Sequence, residues 1–280
     1  MKILVTGAGG MLGTDLVARL GGGPDVIGVT RNEYDILDLQ SIREYTAGLK
    51  PDWIVHCAAF TNVDGCEKEP DKAFSVNADG ARNVAKAAWG VGARMAFVST
   101  DYVYDGKAGR PYVETDRVSP MSVYGRSKLK GEYEVAKVLP DALIVRTSWL
   151  FGVNGPNFVE AILGQVGKKD ELRVVSDQVG SPTYTPDLAD AIARLIEAGA
   201  GGIVHVSNDG ACSWYEYALK ILELAGIRGT RVLPISTAEL GRPAARPAYS
   251  VLSKEKYYRL TGHRMRGWAD ALAEYIRTRD

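Results

Sequence analysis

A tyrosine and a lysine four residues apart form the most chemically suggestive pair in this 280-residue chain. Tyr124 and Lys128 would lie on the same face of a helix, because residues at that spacing are neighbours there. A nearby ammonium favours the phenolate, so we expect Lys128 to lower the pKa of Tyr124 from its usual value of about 10. Such a phenol could exchange a proton with a carbinol oxygen near neutral pH. Alone, the pair is typical of ordinary exposed helices, so its interpretation depends on the residues upstream.

A glycine-rich turn near the start of the chain could bind a nucleotide. It carries three glycines at a spacing of three: Gly7, Gly10 and Gly13. Residues 2–6 before it are an apolar run typical of a buried parallel strand, and residues 14–20 have helical spacing. In this context the backbone around Gly10, Met11 and Leu12 would bind a pyrophosphate at the start of the helix. The strict Gly-x-Gly-x-x-Gly spacing is absent, and a βα turn without a ligand is the alternative.

The residues after the second predicted strand, 25–30, indicate which dinucleotide would bind. An acid near this point binds the ribose 2′-hydroxyl of NAD, whereas an arginine accommodates the 2′-phosphate of NADP. Arg31 therefore favours NADPH, and the nearby Glu33 leaves NADH open. A solvated surface charge is the alternative for Arg31. Asp38, followed by Leu39, is predicted to cap the next helix or to flank the adenine.

Small and polar residues follow the third and fourth predicted strands. After the third strand, at 53–57, stand three residues that leave room for a ribose or nicotinamide: Ala58, Ala59 and Thr61. The fourth strand, at 94–99, leads to Thr100 and Asp101. Ligands bind outside the carboxyl ends of strands in open α/β sheets, so a substrate would meet these side chains. Strand-end turn chemistry is the alternative for Thr100.

The elements that would position these residues alternate between strand and helix. Such alternation predicts an α/β fold with a Rossmann-type, doubly wound parallel sheet. A long helix over about 71–89 connects the third and fourth strands. After residue 150 the helices and strands become shorter and prolines mark irregular turns. We therefore predict a dinucleotide-binding domain over 1–150 and a smaller substrate-binding α/β region over 151–280, which partly returns elements to the first.

Composition excludes several classes of protein. The 34 basic and 34 acidic residues cancel and form no long basic run, so we expect neither nucleic acid nor a membrane surface as partner. Apolar runs stay shorter than the ~18 residues of a membrane span. Three cysteines without a Cys-x-x-Cys motif indicate cytoplasmic thiols, and three dispersed histidines indicate no metal site.

Six stretches match a known family in order: residues 6–13, 58–64, 99–106, 119–132, 146–149 and 177–183. Through them the chain resembles an extended short-chain dehydrogenase/reductase, and more closely the dTDP-4-dehydrorhamnose reductase family. The resemblance implies that Thr100, Tyr124 and Lys128 are catalytic. It implies cofactor contacts from Gly7, Gly10, Met11, Leu12, Arg31, Asp38, Leu39, Ala58, Ala59, Thr61, Asn77, Tyr124 and Lys128. It implies substrate contacts from Thr100, Asp101, Tyr124, Trp149 and Arg246.

The implied reaction is the NADPH-dependent reduction of the C4 keto group of dTDP-4-dehydro-6-deoxy-L-mannose to dTDP-L-rhamnose. Tyr124 would donate the proton, Thr100 would hydrogen-bond the oxyanion, and Lys128 would bind the nicotinamide ribose. The resemblance leaves the oligomeric state open, a homodimer included. Some relatives use a divalent metal at a dimer interface, but this sequence offers no clear ligand cluster for one.

Other members of the superfamily are the alternatives. The 4,6-dehydratases carry Asp-Glu after the threonine, whereas this chain has Asp101-Tyr102. Epimerases retain NAD, whereas Arg31 favours an exchangeable NADPH. The family also includes the non-catalytic regulatory β subunit of methionine adenosyltransferase, and the presence of Thr100, Tyr124 and Lys128 favours an enzyme instead. The exact sugar and the nucleotide base stay open.

Overall fold

The computed structural model describes residues 1–21, 25–168 and 171–279. Its strands are β1 (Ile3–Thr6), β2 (Val26–Val29), β3 (Trp53–His56), β4 (Arg94–Thr100), β5 (Leu143–Thr147), β6 (Leu150–Phe151), β7 (Glu171–Val175), β8 (Val179–Gly180), β9 (Thr183–Tyr184), β10 (Gly202–His205), β11 (Cys212–Ser213) and β12 (Arg231–Ile235). Six of them form one parallel sheet in the order β10-β5-β4-β3-β1-β2. The remaining six form three two-stranded ladders.

Helices connect and cover these strands. They are α1 (Met11–Leu20), α2 (Leu39–Leu49), α3 (Val63–Lys68), α4 (Pro70–Phe74), α5 (Ala81–Val91), α6 (Val123–Val138), α7 (Phe158–Leu163), α8 (Thr185–Glu197), α9 (Trp214–Leu224), α10 (Thr237–Leu240), α11 (Glu255–Thr261) and α12 (Trp268–Thr278). Between α4 and α5 a π-helical turn spans Ser75–Gly80. The single helix predicted over 71–89 is therefore wrong in detail, because this wider turn interrupts it.

Both faces of the main sheet are buried, as expected for parallel strands covered by helices. Successive side chains in a strand point to opposite faces. Ile3 and Val5 accordingly pack in one core, together with Leu16 of α1 and Ile192 of α8. Leu4 packs in the opposite core beneath α2, α5 and α6. These two cores hold the strands of the main sheet in place, and with them the loops at the strand ends.

The C-terminal part of the chain contributes to the main sheet and also forms a region of its own. Strand β10 pairs with β5 at the edge of the main sheet, and α8 packs against α1. Both elements therefore belong to the main sheet and its helical layer. A third core lies among α7, α9 and α12, with Phe151, Tyr217 and Leu272 fully buried. The predicted fold class, a Rossmann-type sheet with a smaller C-terminal α/β region, is confirmed. Within the described ranges, no helix combines the length and apolar character that crossing a membrane requires.

Candidate active site

A cleft of about 790 Å³ opens along the carboxyl ends of β1 to β5. Thirteen of the residues predicted to be catalytic or to bind cofactor or substrate line it: Gly7, Gly10, Met11, Leu12, Arg31, Ala58, Ala59, Thr61, Thr100, Asp101, Tyr124, Lys128 and Trp149. The glycine turn forms one end of the cleft, and Tyr124 with Thr100 lies on its wall. The parallel sheet thus brings together residues from five separate connections, as the strand-end rule predicts.

The glycine turn has the backbone that a phosphate site needs. Gly7 adopts a left-handed φ of 71°, and a Cβ there would lie 2.7 Å from the amide nitrogen of Ala58. At Gly13 a side chain would collide with the carbonyl oxygen of Gly7, so a glycine keeps α1 close to β1. Helix α1 begins after Gly10 without a side-chain cap or an acid in its first turn. Its first N–H groups therefore suit a pyrophosphate.

Helix α6 positions Tyr124 and Lys128. The Ser122 hydroxyl caps the helix by accepting a hydrogen bond from the Gly125 amide at 3.1 Å. Both Tyr124 and Lys128 reach the cleft, so the predicted common face is present. The Asn77 amide donates to the Ser127 hydroxyl at 2.9 Å and thereby ties this helix to the π-helical turn.

Asn77 itself does not line the cleft. Its Oδ1 accepts a hydrogen bond from the Phe60 amide at 2.7 Å, and its amide donates to the Phe60 carbonyl at 3.1 Å. Because Phe60 does line the cleft, Asn77 acts on the shape of the site through the Phe60 backbone. These bonds, together with the one to Ser127, fix the asparagine in the π-helical turn; such turns occur often at functional sites.

The expected effect of Lys128 on Tyr124 is wrong for this structure. Burial raises the pKa of the Tyr124 phenol, and a hydrogen bond with the Thr100 side chain opposes that shift only in part. The Lys128 ammonium instead donates to the Val98 carbonyl at 2.7 Å and lies 4.1 Å from the centre of the Phe97 ring. Burial lowers the pKa of Lys128 to about 8, while Glu132 acts in the opposite direction. Desolvation, which the sequence does not reveal, outweighs the expected attraction.

Thr100 and Asp101 also line the cleft, at the end of β4. The Thr100 hydroxyl donates to Asp101 Oδ1 at 3.0 Å. Asp101 is 1% exposed, and burial raises its pKa to about 6 against the opposing effect of hydrogen bonds from Ser250 and Thr100. A buried carboxyl with a raised pKa in a cleft is typical of functional sites.

Arg31 lies at the glycine-turn end of the cleft with a largely exposed side chain. Its guanidinium is 3.8 Å from the carboxylate of Asp35, which also lines the cleft. Glu33 is engaged elsewhere, because its carboxylate accepts hydrogen bonds from the amide of Thr30 at 2.8 Å and from the Thr30 hydroxyl. Arg31 thus places a positive charge at this end of the cleft, next to the Asp35 carboxylate.

Three further predicted residues lie outside the cleft. Asp38 caps α2 by accepting from the Ser41 amide at 3.1 Å, which was one of its two predicted roles. Leu39 packs against the hydrophobic core under α2. Arg246 pairs with Asp64 at 3.0 Å instead of reaching the cleft.

Trp149 lines the cleft in a strained conformation. Its φ of 47° is left-handed, which is uncommon for a bulky residue and is found at functional sites. Its indole stacks on Trp214 with ring centres 3.5 Å apart. The stack and the close approach of Gly180 to the indole hold the side chain in place.

Six residues that line the cleft were given no role from the sequence: Asp35, Leu37, Phe60, Lys72, Ser148 and Asn154. Ser148 directly follows β5, so a stricter use of the strand-end rule could have found it, whereas Leu37 lies eight residues after the end of β2. Asn154 comes from the loop after β6 and carries no local signal. In the part of the chain that the structure describes, no group of three or more His, Cys, Asp or Glu side chains is placed to bind a metal ion.

Comparison with known proteins agrees with this geometry. The model of the RmlD substrate binding domain family matches residues 1–280. The spore coat polysaccharide biosynthesis protein SpsK of Bacillus subtilis is 47% identical over 99% of this chain and 98% of its own. A dTDP-4-dehydrorhamnose reductase structure from Clostridium acetobutylicum has a TM-score of 0.95 at 43% identity, covering 99% of both chains. One from Bacillus anthracis in complex with NADP has a TM-score of 0.94 at 41% identity, also covering 99% of both.

The family match spans the whole chain, and the relatives exceed 40% identity over nearly their full length. Five of the six stretches that carried the resemblance contribute residues to one cleft, and residues 177–183 do not line it. The chain therefore belongs to the RmlD substrate binding domain family, in agreement with the dTDP-4-dehydrorhamnose reductase resemblance of its sequence.

Proposed function

We propose that this protein reduces the C4 keto group of dTDP-4-dehydro-6-deoxy-L-mannose to give dTDP-L-rhamnose, with NADPH as the hydride donor. The observation that carries the proposal is the presence of Thr100, Tyr124 and Lys128 together on the wall of a cleft that ends at the glycine turn. Two structural relatives bear the name of this activity. The proposed substrate is therefore a nucleotide sugar.

The residues present fit a nicotinamide dinucleotide. The uncapped start of α1 would hold the pyrophosphate, and the small residues Ala58 and Ala59 would leave room for the ribose and nicotinamide. Arg31 would hold the 2′-phosphate, which favours NADPH over NADH. Lys128 would donate to ribose hydroxyls, because its ammonium lies at the cleft. When bound, the cofactor supplies the hydride, and the relative from Bacillus anthracis was solved with NADP.

Tyr124 is suited to donate a proton in the reducing direction. Burial raises its pKa, so the phenol carries its proton at neutral pH and can give it to the oxygen that forms at C4. The Thr100 hydroxyl would stabilise the same oxygen by a second hydrogen bond. Lys128 would contribute its positive charge near the developing negative charge. Positioned proton transfer is worth ~10²–10⁴-fold in rate.

Trp149 and Asp101 would contact the sugar, since both line the cleft beside Thr100. Arg246, which we expect to hold the nucleotide portion, is bound to Asp64 and lies outside the cleft. Arg246 has five N–H donors, so it would contact the substrate with those that Asp64 and the Ala244 carbonyl leave available. Asp38, Leu39 and Asn77 would act on the cofactor site from behind its lining.

The test measures NADPH consumption with dTDP-4-dehydro-6-deoxy-L-mannose for the unaltered protein and for Tyr124→Phe. We expect at least a ~100-fold lower kcat in the variant, because the phenol proton is lost, and nearly unchanged NADPH binding. Tyr133→Phe is the matched control, since Tyr133 lies on the same helix and is 56% exposed. Full activity in Tyr124→Phe would remove this tyrosine from the mechanism.

The same assay distinguishes the alternatives. NADH in place of NADPH tests the cofactor preference assigned to Arg31. The isomeric dTDP-4-keto-6-deoxy-D-glucose tests the sugar, because a 39% identical relative bears the name of a reductase for that compound. If the protein consumes no NADPH with either sugar, a non-catalytic role is favoured.

A further inference from the structure

Residues 177–183, one of the stretches that carried the resemblance, do not line the cleft, but they hold a residue that does. The Thr183 amide donates to the Trp149 carbonyl at 3.1 Å, and the Ser148 hydroxyl donates to the Ser181 carbonyl at 2.7 Å. The ladder of β6 and β9 continues this pairing directly after Trp149. The stretch therefore fixes the backbone on both sides of the tryptophan.

The backbone of Trp149 needs such support. Its φ of 47° lies in the left-handed region, which is unfavourable for a bulky residue and persists only where the surroundings impose it. Strands β4 and β5 pair with Thr100 opposite Thr147, so the strained residue comes two positions after the neighbour of Thr100. A strained conformation beside a side chain predicted to be catalytic indicates that the direction of the indole matters to the site.

Two residues outside the cleft determine where the indole lies. Trp214, the first residue of α9, stacks on it with ring centres 3.5 Å apart and planes 7° apart. A Cβ on Gly180 would lie between 2.5 and 2.7 Å from three atoms of the indole, so only glycine leaves the indole in this position. Both contacts come from one ladder, because Gly180 pairs with Cys212 of β11 and β11 leads into α9.

We propose that Gly180 and Trp214 are positioning residues, which hold the Trp149 indole as a rigid wall for the sugar ring of the substrate. The inference rests on the proposed function for the identity of that sugar. A fixed wall near Thr100 would limit the orientations in which the keto sugar binds, and a displaced indole would lose this restriction. Productive geometry tolerates little displacement, since a shift of about 1 Å can cost ~10²-fold in rate.

A merely structural role of the stack makes a different prediction. If Trp214 only stabilises the third core, Trp214→Leu should lower the thermal unfolding temperature and leave the kinetics with the keto sugar unchanged. If Trp214 acts through the indole, Trp214→Leu should impair the reaction of the unaltered protein but not that of Trp149→Ala, because residues that act through one another are not additive. Trp214→Phe keeps a flat ring and should retain most of the activity.

The experiment measures kcat/KM for dTDP-4-dehydro-6-deoxy-L-mannose in the full chain at saturating NADPH. We expect a ~10–100-fold decrease in Gly180→Ala and in Trp214→Leu, with the Kd of NADPH within about twofold of its original value. Added to Trp149→Ala, either substitution should change kcat/KM less than about twofold. Gly180 has no left-handed φ, so alanine there tests the collision with the indole. Gly90→Ala is the matched control, because a Cβ at Gly90 meets no atom within 4 Å.

A second measurement needs neither cofactor nor substrate. Near-ultraviolet circular dichroism of the free protein should lose the contribution of the stacked indoles in Trp214→Leu and in Trp149→Ala, and should change in Gly180→Ala. An unchanged spectrum in Gly180→Ala would contradict the proposed clamp.

The two measurements together separate the possible failures. If the spectra change as expected but kcat/KM does not, the positioning role is overturned while the proposed function stands, and additive losses in the double variants would overturn it too. If the unaltered protein reduces no keto sugar, the proposed function fails, and the positioning role fails with it. Thermal unfolding shows which variants are folded, and Trp214→Leu decides the question if Gly180→Ala is not.

Discussion

Lys128 lines the cleft, but burying its charge lowers the stability of the folded protein. Its side chain is 3% exposed, and its ammonium has the Val98 carbonyl as its hydrogen-bond acceptor at 2.7 Å. Burial lowers the pKa of Lys128 from 10.5 to about 8, so the folded protein binds this proton more weakly than the unfolded chain does. Below pH 8 the charge therefore opposes folding in full, and between about 8 and 10.5 the opposition disappears as the folded protein loses the proton.

We predict that Lys128→Met stabilises the protein while it reduces activity. The free energy of unfolding at pH 7 should rise by on the order of 2 kcal/mol, because the cost of burying the charge exceeds the value of one hydrogen bond. The difference from the unaltered protein should shrink as the pH rises from 8 towards 10.5. Urea unfolding at several pH values measures both effects.

Lys130→Met is the control for this prediction. Lys130 lies on the same helix with a half-exposed side chain paired to Glu134 at 2.8 Å, so its replacement should change stability by less than ~1 kcal/mol at any pH. If Lys128→Met proved less stable than the unaltered protein at pH 7, the ammonium would have to be well solvated or better paired than its contacts indicate.

At the scale of the residue, the sequence predicted which side chains meet at the cleft but not the pKa values that burial gives them. The spacing of Tyr124 and Lys128 correctly predicted a shared helix face, because helix geometry is local. The direction of the tyrosine pKa shift was wrong, because desolvation depends on which distant elements cover the phenol. Arg246 likewise could not be placed from its sequence neighbours, since its partner Asp64 is 182 residues away along the chain.

At the scale of the element, α6 is fastened to the sheet by a buried ion pair. Arg146 of β5 donates from Nε and a terminal nitrogen to Glu132 of α6 at 2.9 and 2.6 Å. Glu132 also accepts from the Ser99 hydroxyl of β4 at 2.5 Å, and Arg146 donates to the Tyr104 hydroxyl at 2.7 Å. The network thus fixes the helix that carries Tyr124 to the two strands that end at the cleft.

We predict that Arg146→Met strongly destabilises the protein. Removing one partner leaves the Glu132 carboxylate buried without a counter-charge, which costs ~3–5 kcal/mol. The surface pair of Lys130 with Glu134 on the same helix provides the contrast, since Lys130→Met should cost less than ~1 kcal/mol. Urea unfolding measures the free energy of unfolding of the two variants. Equal decreases would show that the buried ion pair contributes no more to stability than the surface pair.

The elements were predicted better than their interruptions. Strands were placed within one residue where an apolar run defined them, as for β3 and β4. The π-helical turn at Ser75–Gly80 was missed because it depends on Asn77 bonding to Phe60 and Ser127, which come together only in the fold. A sequence window contains the asparagine but not its partners.

At the scale of the whole molecule, the main sheet depends on residues far beyond position 150. The edge strand β10 pairs with β5 through Gly202–His205, and α8 covers the same face of the sheet as α1. The division proposed from the sequence at residue 150 therefore marks a change of pattern but cuts through one core. The sequence predicted that elements return to the first part of the chain but not which ones, because pairing between distant strands leaves no local trace.

We predict that the fragment 1–150 does not fold by itself. Four apolar side chains of α8 that pack on the sheet and α1 would be missing: Leu188, Ile192, Leu195 and Ile196. Burying each contributes ~1.5–3 kcal/mol, so their loss approaches the whole stability of a typical domain, ~5–15 kcal/mol. The missing β10 would also leave β5 as an unpaired apolar edge that promotes aggregation. Circular dichroism and thermal unfolding of the fragment beside the full chain test this, and a cooperative transition in the fragment would show that residues 1–150 form an independent domain.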